Sequence, residues 1–419
     1  MSKLKAKIFQ IIKNKDARTL ASNFVWLSAL QVASYIFPLI TMPYLARVIG
    51  VDGFGKIAFA SAIMVWIQTI ADWGFNLTAT RDVAQNKNDV NKVSEIFSNV
   101  LWARCFLAFV SFAVLLLLIF IVPKFYENRV VILVTFLMIP GHILFPDWFF
   151  QAMERMKYTT ILNVIMKLVF TLAVFIFIKD KKDYILQPLF TSLGFVVSGI
   201  IALYIIIKKW NVKLHKPNWE NIKYTIKSTT DVFINHLAPN LYNSFSTVLL
   251  GFFGGGIANG IYDGGVKFFN IGNQFLNIFT RTFFPFLSRK PNKHSQFIPL
   301  SLSVSVLMSL SLFILAPWLV DIMLSSEFSD SMVVMRVLSI SYIFLSLTEI
   351  YGSCYLIVNK KERTLRRITI GCSVAGFLVA WPFIYLFSYI GAALTVTFSR
   401  LLLGTVTMIV AKRIMKKCQ

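Results

Sequence analysis

Twelve apolar segments follow one another along this chain, at residues 20–48, 54–79, 94–122, 130–152, 158–178, 184–207, 229–253, 257–287, 296–320, 331–358, 367–387 and 389–411. Each is near or above the ~20 residues that a helix needs to cross the hydrocarbon of a bilayer. A chain built this way is expected to be an all-α integral membrane protein. Composition agrees: hydrophobic residues make 57% of the chain and charged residues 15%, against about 25% charged in an ordinary soluble domain.

Charge then gives an orientation. Of 42 Lys and Arg, about 29 fall in the N-terminus, the even-numbered loops and the C-terminus, and about 7 in the odd-numbered loops; cytoplasmic loops carry such an excess. Both termini are therefore expected in the cytoplasm. The net charge of +23 is spread over short loops rather than gathered on one face, which fits topology and attraction to anionic lipid and not nucleic-acid binding.

Residues 1–19 are basic, with Leu4, Ile8, Ile11 and Ile12 at helical spacing, as in a short interfacial helix on the inner leaflet. No small-residue cleavage site follows the first apolar stretch, so a removed signal peptide is not expected. Cys105, Cys354, Cys372 and Cys418 have neither metal spacing nor the pattern of a disulfide framework. No motif for a metalloprotease, phosphate loop, dinucleotide fold or serine hydrolase is found, and no cofactor or metal is expected.

The longest loop, 208–228, is basic and polar and separates two six-helix lobes, 20–207 and 229–411; residues 412–419 form a cytoplasmic tail. Without a sizeable loop for chemistry, a carrier is expected rather than an enzyme. The halves read as diverged repeats. PYLARVIGVDGFGKIAFASAI joins spans one and two as LLGFFGGGIANGIYDGGVKFF joins spans seven and eight. Six spans per half give a parallel repeat about an axis along the membrane normal.

Polar groups inside the membrane are costly, about 2.5–3.5 kcal/mol for a central charge, and should face a partner or a water-filled cavity. In span eight, Asp263, Lys267, Asn270, Gln274, Asn277 and Arg281 recur at steps of four and three, which places them on one helical face. That stripe is expected to line an aqueous cavity. Span ten carries a second stripe through Arg336, Ser339, Tyr342, Ser346, Glu349 and Ser353. Elsewhere Asp72 lies in span two, Arg104 in span three, Lys167 in span five, Asp231 in span seven and Arg400 in span twelve. In the second half, Lys267, Arg281, Arg336 and Arg400 outweigh Asp231, Asp263 and Glu349, which favours an anionic substrate bearing phosphate or carboxylate. Gly256, Gly260 and Gly264 form consecutive GxxxG steps that let a neighbour approach closely. Pro38, Pro43, Pro140, Pro146, Pro239 and Pro382 are positions where helices can kink or hinge.

The runs PYLARVIGVDGFGKIAFA, DWGFNLTATRDVAQNK and DWFFQAMERMKY resemble the O-antigen and polysaccharide repeat-unit flippases of the multidrug/oligosaccharidyl-lipid/polysaccharide exporter superfamily. The resemblance implies about twelve spans in two six-helix lobes around a central, often cationic, cavity. It also implies flipping of an undecaprenyl-diphosphate-linked oligosaccharide from the cytoplasmic to the periplasmic leaflet of the bacterial inner membrane. Arg47 and Arg81 match arginines of its first-half motifs. On this reading the diphosphate meets Lys267, Arg281 and Arg336, with Arg104, Lys167 and Arg400 as further cations. The sugars meet Asn270, Gln274, Asn277 and Tyr342, and Asp72, Asp231 and Glu349 are candidates for ion coupling. The implied partners are the lipid-linked oligosaccharide, membrane lipids, a polysaccharide polymerase and a chain-length regulator. A multidrug exporter of the same superfamily and a membrane glycan polymerase are the rival expectations.

Overall fold

The structure, a computed structural model, describes residues 15–289 and 293–418; Leu4, Ile8, Ile11 and Ile12 of the expected interfacial helix lie outside them. It contains helices and no strands among the described residues. In chain order the helices are α1 (Lys15–Asp72), α2 (Phe75–Gln85), α3 (Val90–Ile121), the single turn α4 (Pro123–Glu127), α5 (Arg129–Phe136), α6 (Met138–Leu144), α7 (Asp147–Ala152), α8 (Met156–Phe177), α9 (Leu186–Trp210), α10 (Trp219–Leu237), α11 (Ser244–Arg289), α12 (His294–Met323), α13 (Ser331–Ser339), α14 (Ser341–Leu347) and α15 (Glu362–Cys418). A π-helix over Thr348–Ile357 follows α14.

Nine helical stretches among the described residues are long and apolar enough to cross a membrane. Three of them are too long to cross it once. A straight helix the length of α1 would run about 87 Å, against ~30 Å of hydrocarbon. Each long helix contains one non-helical residue. In α1 it is Gly50 (φ 68°, ψ 177°), and in α11 it is Gly255 (φ 69°, ψ −161°). Only glycine occupies that region at little cost. The two breaks therefore share a backbone conformation, and they fall in the two sequence runs read as repeats. In α15 the break is at Ser388 (φ 49°, ψ −126°), a positive φ that is costly for a residue with a side chain.

The chain divides into two compact units. The first holds residues up to Thr41, Ile67–Lys179 and Ile185–Phe233; the second holds Met42–Trp66, Asp180–Tyr184 and the chain from Ile234 onward.

In the first unit the DWGFNLTATRDVAQNK and DWFFQAMERMKY runs pack on each other. Phe75, Ala79 and Val83 of α2 share a core with Phe97 of α3 and with Trp148, Phe149 and Phe150 of α7. The Thr80 hydroxyl donates to the Trp148 carbonyl at 3.2 Å, and Lys87 pairs with Glu154 at 3.0 Å. Trp73 (φ 40°) and Gly74 (φ 81°) separate α1 from α2. The Trp73 ring stacks on Phe233 at 3.8 Å, and its Nε1 donates to the Ile226 carbonyl at 3.1 Å. A Cβ at Gly74 would come within 2.7 Å of Val232. The break thus forms the seat for α10. Pro140 lies inside α6 and Pro146 precedes α7, so the span expected at 130–152 is one apolar stretch, Arg129–Ala152, built from three short helices.

Loop 208–228 is largely structured. Its first residues complete α9 and its last begin α10. The extended piece between them is strapped to α3: the Lys213 N–H donates to Ser94 Oγ at 3.0 Å, the His215 N–H to Ser98 Oγ at 2.9 Å, and Trp102 Nε1 to the His215 carbonyl at 2.9 Å.

In the second unit the glycine-rich stretches around the two glycine breaks meet. A Cβ on Gly55 would collide with the Gly256 carbonyl and the Gly260 nitrogen, one on Gly256 with the Asp52 carboxylate, and one on Gly260 with the Val51 carbonyl. Close approach is the use the sequence assigned to these GxxxG steps. Beside them, Glu327 accepts from the Val51 N–H at 2.9 Å and from Lys181 Nζ at 2.8 Å. The Lys181 ammonium, then the Val51 N–H, hold its carboxyl below the usual range.

Candidate functional site

Helix α11 carries the expected polar stripe. Its buried side is made by Tyr262, Phe268, Phe269 and Leu276. Away from that side, Lys267, Asn270 and Arg281 are exposed, while Asp263, Gln274 and Asn277 are half-buried. Lys267 pairs with Asp263 one turn earlier at 2.9 Å, and its ammonium stands 3.7 Å from the centroid of the Phe54 ring, close enough for cation–π attraction. Arg281 is an electrostatic neighbour of Glu349, which hydrogen-bonds to Ser353. The stripe therefore presents two cations, at either end of three amides, on one exposed face.

Arg400 is set behind that face. It is only 8% exposed, with its guanidinium 4.6 Å from the Phe269 centroid. Tyr242 hydrogen-bonds to it, and Tyr262 and Tyr342 are its other electrostatic neighbours. Nη1 is buried without a hydrogen-bond partner among the described residues.

Other expected members are placed elsewhere. Tyr342, assigned to the sugars by its spacing, is 1% exposed; its hydroxyl donates to the Phe269 carbonyl at 2.7 Å and its ring stacks on Phe269 at 4.7 Å. It has no surface to offer a sugar as placed. Its stripe is sealed at Ser346 too, where the hydroxyl bonds to Ser301 Oγ at 2.9 Å. Arg336 leans onto α12, its guanidinium carbon 5.2 Å from the Phe313 centroid. Arg104 is 4% exposed and pairs with Asp72, so the expected substrate cation and the expected coupling acid occupy each other. Lys167 donates to Ser34 Oγ at 3.0 Å. Asp231 is exposed. Of the motif arginines, Arg47 donates to the Ile322 carbonyl at 2.9 Å, capping the end of α12 in a helix-stabilising position; Arg81 pairs with its neighbour Asp82 at 2.8 Å.

The family model for "Polysaccharide biosynthesis protein" matches residues 20–291. The chain belongs to the polysaccharide biosynthesis protein family. Two curated proteins are similar over most of their length, each carrying the name "Putative O-antigen transporter". One, from Escherichia coli (strain K12), is 27% identical over 91% of this chain and 94% of its own. The other, from Shigella dysenteriae, is 26% identical over 91% of this chain and 97% of its own. Among solved structures, lipid II flippase MurJ in an inward closed conformation superposes with a TM-score of 0.72, at 14% identity over 93% of this chain and 87% of that one. An inward-facing multidrug resistance transporter of the MATE family gives 0.71, at 12% identity over 94% and 98%. The fold is thus that of the MOP superfamily, and this family member is a multi-pass membrane protein.

Three features of this polysaccharide biosynthesis protein were not found by reading polar residues in spans. They are the Trp73–Gly74 seat for α10, the Glu327 tie to Val51 and Lys181, and a polar groove of about 470 Å³ beside Arg81. Trp-Gly between two apolar helical runs was the one visible signal, as glycine interrupts a helical pattern.

Proposed function

We propose that this chain is a flippase that carries an undecaprenyl-diphosphate-linked oligosaccharide repeat unit, of O-antigen or a related surface polysaccharide, from the cytoplasmic to the periplasmic leaflet by alternating access. The observation that carries the reading is similarity to two curated proteins named for O-antigen transport over nine-tenths of the chain. The exposed stripe of α11 supports it. Lys267 and Arg281 meet the diphosphate, and Asn270, Gln274 and Asn277 hydrogen-bond to sugar hydroxyls. Arg400 adds positive field from behind Phe269; a buried cation without a carboxylate favours an anion nearby. Tyr342, Arg104 and Arg336 are not part of this site as placed, and Asp231 and Glu349 remain the acids open to ion coupling.

The proposal includes topology. The breaks at Gly50, Gly255 and Ser388 are turns between crossings, giving twelve spans in two six-helix lobes, with both termini in the cytoplasm and the chain in the bacterial inner membrane. A polymerase and a chain-length regulator would act on the flipped product. The net basic stripe suits an anionic lipid better than a cationic drug, which sets this reading above a multidrug exporter.

Deletion and complementation test it. Loss of the chain should remove surface polysaccharide and leave lipid-linked repeat units on the cytoplasmic side, reversed by re-expression. Unpolymerised units accumulating on the periplasmic side would overturn the transport reading in favour of a polymerase.

A further inference from the structure

We propose that the groove in the first unit is a second, solvent-facing glycan site that binds the sugar hydroxyls of the substrate at the cytoplasmic end of the protein. The inference rests on the flippase reading for the identity of the glycan.

The groove is enclosed by α2, α3 and α10, with a volume of about 470 Å³, within the range of small-ligand sites. Its walls come from segments expected on the cytoplasmic side, the loop after span two and the loop before span seven. Helix α2 explains why it is polar. One face of α2, Phe75, Ala79 and Val83, is spent on the core. The face turned to the groove carries Thr78, Arg81, Asp82 and Asn86, which packing does not require.

Its chemistry selects a class of ligand. The two cations on its wall are each engaged by a carboxylate on the same wall: Arg81 by Asp82 at 2.8 Å, and Lys92 by Glu95 at 2.9 Å. The two cations and two acids balance, so this wall offers a phosphate no net positive charge. A neutral polyol needs none, since every hydroxyl both donates and accepts. The amides of Asn99 and Asn221 face the groove and offer paired donors and acceptors, while the Asn86 amide, whose nitrogen donates to the Asp82 carbonyl at 2.7 Å, adds its oxygen; the carboxylates accept and the bound cations keep further N–H groups. Tyr224, at the groove and 75% exposed, gives an apolar ring face for the C–H side of a pyranose. Because α10 forms one wall and its neighbour Trp73 stacks on Phe233, a ligand here would also touch the segment that joins the two sequence halves.

The test uses the purified full-length protein in detergent and two probes: the host's repeat-unit oligosaccharide released from its lipid by mild acid, and inorganic pyrophosphate. Saturation-transfer NMR should show the oligosaccharide binding to the wild type, weakened at least five-fold in Tyr224→Ala and in Asn221→Ala. Tyr224 and Asn221 are exposed, so both variants should fold; equal melting temperatures would verify it. Pyrophosphate should not displace the sugar. Wild-type affinity in both groove variants, or displacement by pyrophosphate, overturns the groove. No binding by a protein that still flips in cells also overturns it and leaves the flippase standing. Groove binding by a protein whose deletion leaves flipping normal would keep the glycan site and remove the flippase reading.

Discussion

Removing Asp72 takes away the carboxylate that pairs with a guanidinium held at 4% exposure, while Asp72 itself is 20% exposed. Nε and Nη1 of Arg104 are already buried without partners among the described residues, and Asp72 supplies the hydrogen bond at Nη2, with Asp147 as a further acidic neighbour. Breaking a buried pair by deleting one member costs about 3–5 kcal/mol, because a charge is left stranded, whereas replacing both members by apolar groups is often neutral. The partial exposure of Asp72 argues for the low end, ~3 kcal/mol. For a cooperative unit of about 200 residues, that is a fall in melting temperature of about 6–12 °C. Asp72→Ala should show this drop when the detergent-solubilised protein is followed by intrinsic tryptophan fluorescence. Asp72→Ala with Arg104→Met should recover to within about 1 kcal/mol of the wild type, giving a coupling of about 2 kcal/mol or more in a double-mutant cycle, the excess being the cost of Arg104→Met alone. Complementation by the double variant would place the pair in the architecture of the first unit. A single variant within 2 °C of the wild type, or additive effects in the cycle, would refute the reasoning, because either would mean that Arg104 does not depend on Asp72.

Other consequences are as direct. Lys267→Ala and Arg281→Ala should each cut transport at least ten-fold in the complementation assay at unchanged protein level; full activity in both would remove the α11 stripe from the substrate path. Loss of the Lys267–Asp263 pair itself should cost only about 0.3–0.5 kcal/mol, since it is an i,i+4 pair on an exposed face. Gly55→Leu should cost about 1–3 kcal/mol or more, because its Cβ would enter the backbone of Gly256 and Gly260; a melting temperature unchanged from the wild type would contradict that close approach. The Glu327 tie involves a carboxyl held low by Lys181. Its contribution, about 0.5–1 kcal/mol for so exposed a pair, is present above the ordinary carboxylate range and is lost as pH falls through the depressed folded value. The stability difference between wild type and Glu327→Gln, measured from pH 7 to pH 3, should therefore shrink toward zero at the acid end; a constant difference would show that protonation does not release the tie.

What the sequence made legible depended on whether the information lay along one helix or between helices. Span length, the excess of Lys and Arg on alternate loops, and the α11 stripe are all properties of residues close together in the chain. The helix period is enough to place Lys267, Asn270 and Arg281 on one face, and they are exposed together. The same period put Tyr342 and Ser346 on a face, but could not say that α12 and Phe269 close over it. Spacing reports which residues share a face and is silent on what that face meets.

The cations within the spans make the distinction sharper. Lys267 has its acid four residues earlier in the same helix, so its pairing could be read from the chain. Arg104 has its acid 32 residues away, on another helix, so it read as a free charge available to a diphosphate. Glu327 and Val51 are 276 residues apart, and nothing local marks either one. An intramembrane charge with a counter-ion one turn away stays solvated or paired whatever its neighbours do, so it can be left on a working surface. A charge without one can be matched across helices, as Arg104 is by Asp72, and that match is invisible in the local sequence. Arg400 is the exception that the fold matches with aromatic rings and hydroxyls rather than a carboxylate. Among the buried arginines it is therefore the one whose field reaches outward uncancelled, and it lies against Phe269, on the very helix whose other face carries Lys267 and Arg281.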